Sequence, residues 1–201
     1  MSAIDSTPLM RQLAGEELGR RPAALDAFLA ARRRFLAGER IDMTRLAHEL
    51  GVNRVTLYRW VGSREQLLVE IVWSLARRTL DDLEAATPRG GGPERAVTIL
   101  ERFLAATLAH HGMQRWLAED GESAMRLLTR HDTDFQPRLI AAVEQLLAAE
   151  EQAGRLALGP DRHEVAYALV RVIESYTYLD LITGERPEAG RARPIFARLL
   201  R

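Results

Sequence analysis

At 201 residues, 47% of them hydrophobic and 28% charged, the chain has globular composition and the length for a substantial core, which excludes a mini-protein scaffold. It contains no cysteine, so disulfides, cysteine-ligated zinc, iron–sulfur clusters and thiol chemistry are excluded and a reducing cytoplasm fits. The formal net charge of zero conceals an asymmetry: from Arg20 to Arg64 ten arginines stand against Asp26, Glu39, Asp42 and Glu49, a local balance of +6 that leaves −6 elsewhere, and all 28 cations are arginine.

Residues 1–21 read as an N-terminal extension holding either a short helix over 9–18 or an irregular arm, with Pro8 and Pro22 as punctuation. Over 23–36 the apolar positions Leu25, Phe28, Leu29 and Leu36 recur at helical spacing, and Gly38 supplies a stop. Asp42 is placed to cap a short helix over 43–50, Gly51 breaks it, and Asn53 is placed to cap another that runs to about Trp60. Ser63 and Gln66 form a capping-box pattern opening a long helix through Leu67, Leu68, Ile71, Val72, Leu75 and Leu80. The run TPRGGGP at 87–93 ends it as a hinge or turn, without the Lys-Ser/Thr ending of a phosphate-binding loop.

Helical periodicity returns after Pro93 at Val97, Leu100, Phe103, Leu104 and Leu108, ending near Gly112. Shorter helices are predicted over 113–119 and 122–130, then a loop at HDTDF and a helix over 138–153 opened by Pro137 and closed by Gly154. Asp161 with Glu164 caps a long helix to Thr183, and a C-terminal piece lies near 195–200. No segment alternates with period two, so the expected fold is all-α, with a helix-turn-helix domain over 22–67 and a helical bundle over 68–201.

The stretch MTRLAHELGVNRVTLYRWVGSREQLL carries the strongest signal. Two short helices meeting at a sharp angle need a small residue where they touch, a residue tolerant of positive φ at the turn and an apolar anchor on the second helix; Ala47, Gly51 and Leu57 meet those needs. Leu46, Leu50 and Val52 complete the buried side. Arg54, Thr56, Tyr58 and Arg59 are left to face out, where arginine reads guanine bidentately and hydroxyls take phosphate oxygens. Arg64 stands beside a helix N-terminus, which favours a phosphate.

With its glycine turn, TLYR and the Ser-basic-Glu-x-Leu-Leu run, this stretch resembles the TetR family of transcriptional regulators. The resemblance implies that Thr44, Asn53, Arg54, Thr56, Tyr58, Arg59 and Arg64 lie at a DNA surface. It also implies a homodimer that reads a palindromic operator and a larger domain that binds a small effector, which shifts the spacing of the two reading helices and releases the repressor. The chain departs from the family where phenylalanine then proline give way to Val61 and Gly62, and where lysine gives way to Arg64, which keeps the charge; the variant YRWVGSREQLL is similar to regulators of quorum-signal degradation.

In the C-terminal half, the apolar stripes of the penultimate helix and the arc of Leu139, Ile140, Val143, Leu146 and Leu147 suit either a central helix or a four-helix dimer interface, for which the candidates are Leu139, Val143, Leu146, Val170, Ile173 and Leu181. Phe103, Trp116, Met125 and Phe135 are candidates for lining an effector pocket, with Arg171, Glu174 and Tyr178 at spacings of three or four as its polar contacts. The alternatives are plain core for the aromatic residues and a surface Arg171–Glu174 pair. Such a pocket suits a mostly apolar small molecule with a polar handle.

An enzyme is not expected. No histidine follows a glutamate by three residues, no two of the five histidines are four apart, and no nucleophile elbow occurs, so no metal site or cofactor is predicted; the His110–His111 pair is expected to end a helix. No apolar run reaches the roughly 18 residues that span a bilayer, so no membrane partner is expected. Two other readings fit the same features: a helical interaction protein that keeps the shape without reading DNA, and a dimeric DNA-binding protein with no effector.

Overall fold

A computed structural model describes residues 7–13, 23–89 and 93–201, and every regular element among them is helical. The glycines 90–92 of the TPRGGGP run, and residues 14–18 of the expected first helix, lie outside that set. The chain divides into two compact units between Val72 and Trp73, whereas the sequence reading divides it after residue 67.

The first unit comprises α1 (Pro8–Leu13), α2 (Ala24–Leu36), α3 (Met43–Glu49), α4 (Arg54–Val61) and the opening turns of α5 (Arg64–Ala86). Its core is assembled differently from the leucine stripe read in α2. The buried face is Ala24, Ala27, Phe28, Ala30, Ala31 and Phe35, while Leu25, Leu29 and Leu36 remain 37–40% exposed. Alanines let neighbouring backbones come close, so α1, α3 and α4 pack on that side and the two phenylalanines fill the space between them. Leu9, almost fully buried, seats α1 against α2 and α4.

The second unit holds the rest of α5 with α6 (Glu94–Ala109), α7 (His111–Thr129), α8 (Phe135–Gln152), α9 (Arg162–Thr177), α10 (Leu179–Thr183) and α11 (Arg193–Leu199). The two helices expected over 113–130 are one, bent at Asp120, whose φ of −151° and ψ of 47° are not helical. α8 starts at Phe135, ahead of Pro137, because a proline in the first turn lacks only an N–H that has no intrahelical acceptor. The helix expected to reach Thr183 breaks at Tyr178, and Asp161 makes no side-chain cap to α9. No helix among the described residues is long and apolar enough to cross a membrane.

α9 packs against α8, α6 and α11 of its own chain. This corrects the dimer-interface expectation: Leu139, Val143, Leu146, Val170 and Ile173 are each at most 3% exposed within the protomer and fill its core, leaving nothing to cover on a partner. Leu181 alone of the six is exposed, at 41%, and its side chain lies so close over Gly121 that a Cβ there would sit 2.9 Å from its Cδ1. The C-terminal helix is clamped to α6 by Arg193, which pairs with both Glu94 and Glu101, and by the fully buried Phe196.

A second clamp closes on the far end of α5. Glu150 of α8 is fully buried; it accepts Arg95 Nη1 at 2.5 Å and Arg155 through Nε at 2.5 Å and Nη2 at 3.0 Å. Arg95 also donates to the carbonyls of Glu84 (2.6 Å) and Thr87 (3.2 Å), satisfying groups that a helix C-terminus leaves open. Burial pushes the Glu150 carboxyl up, but the hydrogen bonds from Arg155 and Arg95 outweigh it and hold the carboxyl below its ordinary value.

Candidate nucleic-acid interface

The turn between α3 and α4 is built from capping and one backbone requirement. Asp42 Oδ1 accepts the N–H groups of Thr44 (2.7 Å) and Arg45 (3.0 Å), and those hydrogen bonds hold its carboxyl below the ordinary value. After α3 the Gly51 N–H bonds the His48 carbonyl at 3.1 Å and the Val52 N–H bonds the Ala47 carbonyl at 3.0 Å. Gly51 has φ +66°, and a Cβ built there would meet nothing within 4 Å, so its conformation and not crowding selects glycine. Ala47 and Leu46 are buried, Leu57 is wholly so, and Leu50 and Val52 are half-buried.

Asn53 caps α4 by accepting the Thr56 N–H at 2.7 Å. With Leu57 and Val61 turned inward, Arg54, Tyr58 and Arg59 are exposed, and the Arg54 guanidinium lies 6.0 Å from the Tyr58 ring centroid. Thr44 is exposed at the start of α3, and Thr56 is half-buried rather than fully outward. Val55, 78% exposed, shares this face although it is absent from the polar set that the sequence pattern assigns to it. Its spacing of four from Arg59 is the signal that would have found it.

Arg64, half-buried, donates from Nε to the Ile41 carbonyl at 3.0 Å, tying the start of α5 to the segment before α3. The predicted capping box is present: Gln66 N–H donates to Ser63 Oγ at 3.1 Å and Ser63 N–H to Gln66 Oε1 at 2.7 Å. That box explains the glycine before it. Gly62 has φ 73° and ψ −141°, which proline cannot adopt, and a Cβ there would fall 1.9 Å from Gln66 Oε1. Gly62→Ala is expected to cost about 1–3 kcal/mol of stability, read from the urea midpoint; an unchanged midpoint would show the strain to be absent.

In the second unit the structure joins two of the proposed effector contacts through a residue the sequence did not flag. Gln136 of α8 donates from Nε2 to the Leu128 carbonyl at 2.7 Å and to Glu174, and accepts from Arg171, which also pairs with Glu174 at 2.6 Å. The Arg171–Glu174 pair straddles the surface, with Glu174 only 8% exposed and Arg171 keeping 34% of its side chain exposed. Burial pushes the Glu174 carboxyl above its ordinary value, with Arg171 opposing, and burial followed by the Glu174 charge raises the Tyr178 phenol. Phe103, Trp116 and Phe135 are core residues, Phe135 standing edge-on to Trp73 at 6.4 Å, and Met125 is half-buried.

His110 ends α6 as its C-cap, as expected, and also opens α7, its Nδ1 accepting the Met113 N–H at 3.2 Å. Glu119 pairs with Arg115 one turn earlier, and the described residues include no group of three or more histidines or carboxylates suited to a metal ion.

Residues 91–201 match the family of tetracyclin repressor-like C-terminal domains. The chain is 29% identical over 167 residues to the HTH-type transcriptional regulator BetI of Brucella anthropi, covering 73% of this chain and 85% of that one, and 30% identical over 156 residues to BetI of Rhizobium meliloti, covering 72% and 74%. Its fold superimposes with a TM-score of 0.80 on the R. erythropolis transcriptional repressor QsdR from the TetR family, at 26% identity over 88% of this chain and 93% of that one. With its helix-turn-helix geometry, a family match over more than half its length and a 30% identical regulator covered across most of its own, the chain belongs to the TetR family and is a transcriptional regulator, not an enzyme.

Proposed function

We propose that the protein is a cytoplasmic, ligand-responsive repressor that binds a palindromic operator as a homodimer and is released by a small molecule. The observation that carries the reading is α4, which buries Leu57 and Val61 while leaving Arg54, Tyr58 and Arg59 exposed. Such a helix suits the major groove, with Arg54 and Arg59 on base edges or phosphates, Thr44, Thr56 and Tyr58 on the backbone, and Asn53 and Arg64 near phosphate at two helix starts. The likeness to QsdR, itself a repressor, supports repression.

For the dimer, the outer faces of α8 and α9 replace the buried leucines. Ala141, Ala149 and Tyr167 are exposed there and Ile140, Ala148, Ala168 and Val172 are partly so, a surface small enough for close helix approach. For the effector, the Gln136–Arg171–Glu174 cluster with Tyr178 is the polar handle for a mostly apolar molecule, whose binding favours the dimer geometry that fits the operator poorly.

Fluorescence anisotropy of the purified protein against a labelled duplex of its own upstream region, over a salt series, tests the reading. Arg54→Ala and Arg59→Ala are each expected to weaken binding by about 1–3 kcal/mol and to flatten the salt dependence. Equal binding by wild type and both variants would remove α4 from the DNA.

A further inference from the structure

Val55 is the most exposed of the large hydrophobic side chains in the described structure. It is the second residue of α4, one turn before Arg59, so Val55, Tyr58 and Arg59 share the face opposite Leu57 and Val61. A β-branched aliphatic held almost entirely in water forgoes the stabilisation of burial and stiffens at χ1, so it contributes nothing to the fold that a polar residue would not. Arg54 beside it and Arg59 below it make this an electropositive rim around one apolar point. Their charge complements a polyanion, and the first turn of a groove-binding helix is the part that meets base edges.

The apolar feature on a base edge in the major groove is the C5 methyl of a pyrimidine. Guanine and adenine present acceptors at that groove, and cytosine a donor, none of which an isopropyl group satisfies. Resting on the reading of α4 as the DNA-reading helix, we propose that Val55 is a specificity-determining residue that packs on the C5 methyl of one thymine in each half-site. The chemistry recognised is the methyl group itself, so a 5-methylcytosine at the same position is the other source of the same contact.

The test uses the full-length protein and a duplex that it enriches from a random-sequence library. Each thymine is replaced singly by deoxyuridine, which removes only the methyl, and at the responsive position thymine is also replaced by cytosine and by 5-methylcytosine. Wild type is expected to bind about three- to ten-fold more weakly when one particular thymine per half-site loses its methyl, and to bind the 5-methylcytosine duplex more tightly than the cytosine one. Val55→Ala is expected to bind the thymine duplex as weakly as wild type binds the deoxyuridine duplex, and to ignore the replacement. Because Val55 is exposed, the variant should melt with wild type. Wild type that binds the enriched duplex equally with thymine or deoxyuridine at every position, or a Val55→Ala profile identical to that of wild type, overturns the assignment of Val55 alone. Failure to enrich any duplex removes the reading of α4 beneath it as well.

Discussion

Glu150→Ala will lower the stability of the second unit by about 3–5 kcal/mol, the largest single loss expected in the chain. The carboxylate is fully buried and takes hydrogen bonds from two arginines, of which Arg95 has only 8% of its side chain exposed. Removing the carboxylate leaves two guanidinium groups facing one another without a counter-charge. Arg95 also holds the Glu84 and Thr87 carbonyls, so the damage reaches the end of α5 and not only α8. Urea unfolding followed by circular dichroism measures the loss, and a variant within about 1 kcal/mol of wild type would show that water replaces the clamp without cost.

The same clamp carries a pH dependence of known sign. The Glu150 carboxyl lies below its ordinary value of 4.5 in the folded state, so the stability it contributes is complete above that value and disappears as pH falls through the lowered one. Wild type should therefore lose stability more steeply than Glu150→Gln on acidification below about pH 4.5.

Sequence patterns revealed most where a single residue suffices to set the backbone. Gly51 at the turn, Asp42 and Asn53 as caps and the Ser63–Gln66 box each act on neighbours within four positions, and all appear in the structure as read. Patterns failed where burial depends on a partner distant in sequence. The leucines of α2 have the right spacing for a core face, but the alanines beside them admit closer packing and turn Leu25, Leu29 and Leu36 outward. Leu139, Val143 and Ile173 have an apolar periodicity that fits α8 against α9 within one chain as well as across two, and periodicity cannot choose. The cluster at Gln136 was invisible for a related reason. A glutamine 35 residues from Arg171 and 38 from Glu174 has no local signature, whereas the two charged residues one turn apart do.

Leu57→Ala is the second large effect, and it separates shape from contact at the DNA surface. Leu57 is fully buried and anchors α4, so truncation should destabilise the first unit by about 2–5 kcal/mol, while Leu57→Met, which keeps the volume, should cost less than about 1.5 kcal/mol. A unit of this size buries little core to begin with, and a loss of that magnitude takes much of its stability. Binding to the upstream duplex should therefore fall at every salt concentration by the same factor, because the folded fraction drops and the number of phosphate contacts made by the folded protein does not change. Arg54→Ala behaves oppositely, with stability retained and the salt slope reduced. A Leu57→Ala protein that binds with a flattened salt slope would mean that α4 is held by its exposed side chains on DNA and not by its buried ones in the domain.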